Sequence, residues 1–228
     1  MLTRCHSYMD GTLTVPVIDF AEMKRRAGVP LGIDILDTIN SWSDAERKEK
    51  AFAAILEMEE EALLAMKLMP GAGELCNFLD SRHVPRGLIT RNVKRGVDHF
   101  HQHHVTPLQL NHFTPAITRE CSFAYKPSPE ALLHICETWG IKPSECIMVG
   151  DSVKDDVVSG NRAGSLTVLL DYEGKGAFQD MVLSGELRPT HIVTSLVDVI
   201  ELIQSQYDIQ PAAHPRNLVL PPSDKYLR

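Results

Sequence analysis

The stretch Cys146-Ile147-Met148-Val149-Gly150-Asp151-Ser152-Val153-Lys154-Asp155-Asp156 decides the fold. It opens with an unbroken apolar run that is too short for a helix. Gly150-Asp151 ends the run, and further carboxylates follow at Asp155 and Asp156. An apolar run of this length, bounded by turn residues, reads as a strand buried on both faces, as parallel sheets require. A carboxylate at the carboxyl end of such a strand faces the crevice where these sheets bind ligands. Hard oxygen donors there suit Mg²⁺, which takes one or two carboxylates and keeps several waters. The competing reading is local: Asp151 as a helix N-cap, followed by acidic first-turn residues that the helix dipole favours.

Outward from this strand the same rhythm continues. Residues 87–90, 166–170 and 191–194 read as further strands. Between them lie helical patterns such as Leu132, Ile135, Cys136 and Trp139, with Ser128 as N-cap, Pro129 in the first turn and Gly140 as the stop. Alternation of this kind predicts a doubly wound, Rossmann-like α/β sheet. Residues 18–69 interrupt it with helices only: one over 19–27, a short one over 31–40, and one opened by a Ser43/Glu46 capping box and running towards Met69. The acidic run 57–61 is that helix's wet face. The expected organisation is therefore a core of residues 1–17 and 70–207, a helical cap of 18–69, and a Pro-rich extension of 208–228 lying on the surface or disordered.

Composition narrows the function classes. With 23 Lys and Arg against 30 Asp and Glu, the formal charge of −7 argues against nucleic acid, which demands a basic face. The basic stretch Lys24-Arg25-Arg26 reads as a solvated helix face. No apolar run approaches the ~18 residues of a membrane span, and no secretory signal is visible. The five cysteines (Cys5, Cys76, Cys121, Cys136, Cys146) are scattered without metal or redox spacing, which predicts free thiols in a reducing compartment. The expectation is a soluble intracellular protein, a monomer or weak homodimer.

Three further segments carry chemistry. Lys126-Pro127-Ser128-Pro129-Glu130 puts an ammonium just ahead of a helix N-terminus, a phosphate-binding arrangement, although a surface lysine is the plain alternative. Thr90 closes a strand and places a hydroxyl at the same sheet edge, where a Thr often serves merely as a cap. Asp10-Gly11-Thr12-Leu13 is a carboxylate followed by a turn. The histidines His99, His101, His103 and His104 read as a polar helix end with imidazoles near the negative pole of the dipole, not as a metal shell. Gly71-Ala72-Gly73-Glu74 lacks the third glycine and preceding strand of a dinucleotide fingerprint.

Taken in order, these pieces resemble the haloacid dehalogenase superfamily of phosphohydrolases, whose pattern is D-x-D-G-T-L, a helical cap, a strand ending in Ser/Thr, a Lys, and G-D-S-x-x-D. Asp10 to Leu13, the insertion 18–69, Thr90, Lys126 and Gly150 to Asp155 match it, and 69–75 resembles the return from cap to core. The resemblance implies a Mg²⁺-dependent phosphatase of a small phosphorylated metabolite. In that family one Asp attacks phosphorus to form an aspartyl-phosphate, and a second protonates the leaving group and then activates water. Carried over, Asp10 is the general acid/base, Thr90 and Lys126 hold the phosphoryl oxygens, and Gly11, Thr12, Arg91 and Asn92 are further substrate-binding residues. Asp10, Asp151 and Asp155 serve the metal, a role Asp156 could share. Dehalogenation does not need this lysine-plus-Mg²⁺ cradle.

One position departs from the pattern. Tyr8 stands where the family has its nucleophilic Asp. A phenol with a pKa of about 10 is no carboxylate ligand for Mg²⁺ at neutral pH. The preceding Leu2-Thr3-Arg4-Cys5-His6-Ser7 is mostly polar, so it is expected to pair poorly with a sheet whose central strand should be apolar. The start reads as truncated or alternatively assembled ahead of an intact family body, or as that of a natural pseudo-enzyme with a phosphate-binding or interaction role. A slipped register, with Asp10 as nucleophile and Thr12 in the second position, is the remaining alternative.

Overall fold

Five consecutive buried residues make β4 (Cys146–Gly150) the spine of the molecule. The computed structural model describes residues 11–174, 178 and 182–209, with residues 4–7 and Glu173 described by their backbone alone. The chain divides into two compact units, 16–67 and the remainder. No helix among the described residues is long and apolar enough to cross a membrane.

Among the described residues the larger unit carries a six-stranded parallel sheet in the order β3-β2-β1-β4-β5-β6, formed by β1 (Arg4–Ser7), β2 (Arg86–Ile89), β3 (Ala116–Ile117), β4, β5 (Leu166–Leu170) and β6 (His191–Val193). This is a doubly wound α/β fold. Strands β4 and β5 fall where the apolar runs place them. Between or after the strands come α4 (Ala72–Ser81), α5 (Lys94–Phe100), α6 (Glu130–Trp139), α7 (Val158–Ala163) and α8 (Leu196–Gln206). Leu132, Ile135 and Cys136 of α6 pack with Ile89, Cys146 and Met148 of the sheet, which buries the i, i+3, i+4 stripe. Gly140 closes α6 in the left-handed region, as its lack of Cβ allows. The N-cap is Pro129 and not Ser128; the Ser128 hydroxyl accepts from the Glu130 amide at 3.3 Å from one residue further out.

The expected poor pairing of the N-terminal segment is not what the backbone does. Arg4 to Ser7 form the central strand, Cys5 opposite Arg86 and Ile147, and Ser7 opposite Leu88 and Val149. Ladder geometry on both sides has overridden a sequence without strand patterning. The histidine segment also departs from expectation, because α5 runs into a π-helical turn (His101–Val105) that carries His101 into the interior, 9% exposed. Cys76, Cys121, Cys136 and Cys146 are free thiols.

The smaller unit is helical: α1 (Phe20–Ala27), α2 (Ile35–Ser41) and α3 (Ala45–Ala65). Met23, Ala27, Ile39, Ala51, Ile55 and Met58 form its core. Asp19 caps α1 by accepting from the Ala21 and Glu22 amides, and Gly28 ends it. The helix α3 is capped by Asp44 and not by a Ser43/Glu46 box, since the Asp44 carboxylate accepts from the Arg47 amide at 3.1 Å. It stops at Ala65, short of Met69, and Leu68 instead bridges Thr14 in the larger unit. The basic residues Arg25 and Arg26 pair with Glu22 on the exposed face.

Candidate active site

Strand order reverses between β1 and β4, and open parallel sheets bind ligands beyond the carboxyl ends of their strands at such a point. The segments that leave β1, β2 and β4, together with Lys126, are tied to one another there. Gly11 turns at φ 80°, and a Cβ on it would lie 2.2 Å from Asp151 Oδ2, so only glycine lets this backbone approach the carboxylate. The Thr12 hydroxyl, fully buried, donates to Asp151 Oδ1 at 3.2 Å.

Asp151 is pushed up to about 6, first by desolvation against its neighbours and then by the negative charge of Asp156; the Thr12 hydrogen bond and Lys126 oppose the rise. The residue is nonetheless exposed, so solvent screens part of that effect. A carboxylate in this position gains from a cation beside it.

Lys126 and Asp156 form the buried centre of the arrangement. The ammonium donates to Asp156 Oδ1 at 2.5 Å, with both side chains almost wholly buried. The other oxygen of Asp156 accepts from the Ser152 amide at 3.0 Å. A π-helical turn (Val153–Val157) aims Asp156 inward: the Val157 amide reaches back to the Ser152 carbonyl, five residues away in a count that an α-helix would close at four. Gly150 makes room, since a Cβ there would meet the Asp156 carboxyl carbon at 2.3 Å. The Ser152 hydroxyl caps the turn by accepting from the Asp155 amide.

From the other side, Thr90 directly follows β2 at 4% exposure, its amide bound to the Ile117 carbonyl and its hydroxyl oxygen accepting from the Asn92 amide at 3.0 Å. That geometry keeps the hydroxyl proton as a donor. Arg91 Nη2 donates to the Lys126 carbonyl at 3.0 Å and stands 3.6 Å from Asp155. The Asn92 carbonyl accepts from the Arg119 amide, joining the loops after β2 and β3. Thus Gly11, Thr12, Thr90, Arg91, Asn92, Lys126, Asp151 and Asp155 all belong to the larger unit, linked by these contacts. Tyr8 and Asp10 lie outside the described residues. Sequence reading gave Asp156 only a share in the metal role and missed its hold on Lys126. The adjacent Asp155 and Asp156 cannot be told apart without knowing that the turn is π-helical.

The donor set suits Mg²⁺ in chemistry, being oxygen only, with the Asp151 carboxylate exposed at the end of β4. No group of three or more His, Cys, Asp or Glu is assembled among the described residues. Mg²⁺ needs only one or two carboxylates, so Asp151 can serve with waters as the rest of the shell.

Comparison with known proteins places the chain in a family. The family model "haloacid dehalogenase-like hydrolase" matches residues 9–164. A haloacid dehalogenase-like hydrolase domain-containing protein of Arabidopsis thaliana is 46% identical over 214 residues, which cover 89% of this chain and 84% of that protein. An uncharacterized hydrolase of Saccharomyces cerevisiae is 35% identical over 199 residues, 86% of this chain and 88% of its own. In fold, the crystal structure of a hydrolase from Pseudomonas syringae matches with a TM-score of 0.69 at 19% identity, covering 90% of this chain and all of that one. The chain belongs to the haloacid dehalogenase-like hydrolases.

Proposed function

We propose that this architecture is that of a Mg²⁺-dependent phosphatase for a small phosphorylated metabolite, and that Tyr8 at the nucleophile position leaves the chain with little or no turnover. The observation that carries the first half is the buried Lys126 ammonium, clamped by Asp156 beside Asp151. Burying a charge is costly unless it is paired, and this one is paired beside the exposed Asp151. Such a cation, with the Thr90 hydroxyl, suits the oxygens of a phosphoryl group and the charge that develops on them. Asp151 would hold Mg²⁺, with support from Asp155 and from Asp10, which is also the general acid/base on this reading. When bound, the ion offsets phosphoryl charge. The second half rests on the residue itself: Tyr8 is a phenol where attack requires a carboxylate.

Calorimetry with inorganic phosphate, with and without Mg²⁺, separates site from turnover. Phosphate is expected to bind, Mg²⁺ to strengthen it, Asp151→Asn to remove the strengthening and Lys126→Met to abolish binding. Hydrolysis of an aryl phosphate is expected to be slower than in an intact site by a factor on the order of 10⁶, by analogy with other lost nucleophiles. Absence of phosphate affinity under every condition would sink the cradle. Brisk hydrolysis by the unaltered chain would sink the claim about Tyr8.

A further inference from the structure

Arg91 occupies an unusual place. It directly follows Thr90, its Nη2 is anchored on the main-chain carbonyl of Lys126 at 3.0 Å, and the Asp155 carboxylate stands 3.6 Å away. The guanidinium is thereby tied to both residues of the phosphate cradle, yet its side chain remains 44% exposed. The Arg91–Asp155 contact exceeds hydrogen-bond length and is open to water on both sides, which makes it a weak, exchangeable pair. Lys94 and Arg95 open α5 just beyond it and Arg119 follows β3, with Lys94 paired to Asp98 at 2.6 Å.

We infer that Arg91 recognises a second anionic group on the substrate: the ligand class is a phosphate monoester bearing a carboxylate or another phosphate a few bonds from the transferred phosphoryl. An arginine fork presents paired N–H donors that match a carboxylate or a phosphate in two-point contact, and the incoming anion takes the place of Asp155. The backbone anchor on Lys126 fixes the distance between the two anion sites, so the residue selects by spacing as well as by charge. The inference rests on the reading of Thr90 and Lys126 as a phosphate cradle.

The test is binding of non-hydrolysable probes by calorimetry in Mg²⁺, so a low turnover does not matter. Methylphosphonate reports the cradle alone; phosphonoacetate and methylenediphosphonate add a carboxylate or a second phosphoryl group. One of the two probes with a second anionic group is expected to bind at least about tenfold more tightly than methylphosphonate, the scale of one charge-assisted hydrogen-bonded contact. The tighter of the two identifies the second group. Arg91→Gln is expected to bring that ratio near one, Arg91→Lys to leave it intermediate, and Arg95→Gln to preserve it, which separates a fixed contact from diffuse attraction. Equal binding of all three probes by the unaltered protein overturns the inference while the cradle stands. A preference that survives Arg91→Gln overturns it too, and binding of no probe removes cradle and inference together.

Discussion

Asp155 and Asp156 are adjacent in sequence and opposite in circumstance. Asp156 is 1% exposed and divided between the Lys126 ammonium and the Ser152 amide, whereas the Asp155 side chain is 36% exposed beside Arg91. Removing one partner of a buried pair strands the other charge, at a cost of about 3–5 kcal/mol. Asp156→Ala is therefore expected to lower unfolding stability by that amount, measured as a shift of the urea midpoint at constant slope. Asp155→Ala, at a water-exposed pair, is expected to cost less than about 1 kcal/mol. Equal small losses would show that Lys126 finds another partner. At this scale the residues that the structure brings together in the candidate site were legible as types each motif demands: a carboxylate after β4, a hydroxyl after β2, a lysine before α6. What was not legible was the division of labour between two neighbouring carboxylates, which is a property of the backbone turn.

Elements were legible where burial alone selects them and illegible where neighbours do. The runs of β4 and β5 announce themselves as apolar; β3 has only two residues and no pattern to show, and existing ladders recruit it. Likewise the histidine segment reads as polar, but its π-turn buries His101 against Phe100 and Phe113, with His112 stacked on it at 4.4 Å. His101 Nε2 accepts from the Phe113 amide at 3.2 Å, which requires that nitrogen to be unprotonated. Desolvation, then the charge of His112 and more distant Arg86 and Lys94, lower its pKa to about 4, against a rise from Asp98. The unfolded chain, with an ordinary value near 6.5, binds more protons between the two values. Stability from His101 is thus complete above pH ~6.5 and lost as pH falls towards ~4, a loss of roughly 1–3 kcal/mol. The raised carboxyl of Asp151 has the opposite sign, since it binds its proton more readily when folded. His101→Gln keeps an acceptor but does not titrate, so it should flatten the acid slope of urea stability in that window. An unchanged slope would exonerate His101.

At the scale of the whole molecule, the fold class follows from alternation, and the strand most central to it is the one that the sequence least suggests. Strand β1 lies between β2 and β4, and its last residue, Ser7, pairs with Leu88 and Val149. Residues of a strand held on both sides by parallel neighbours ought to be apolar, yet Arg4, His6 and Ser7 are not. In sequence Tyr8 follows directly, at the position where the family resemblance calls for the attacking carboxylate. If Tyr8 is the lesion proposed above, gaining turnover is a two-part problem: the right group, and a strand rigid enough to aim it. Tyr8→Asp alone is expected to give a small gain in Mg²⁺-dependent hydrolysis of an aryl phosphate, because about 1 Å of misplacement costs on the order of 10² in rate. Making residues 3–7 apolar and β-branched in the same chain is expected to recover most of that factor, and Asp151→Asn in this background should abolish the gain. If the unaltered chain already turns over rapidly and Asp10→Asn silences it, Asp10 is itself the nucleophile, and the polar strand is no lesion at all.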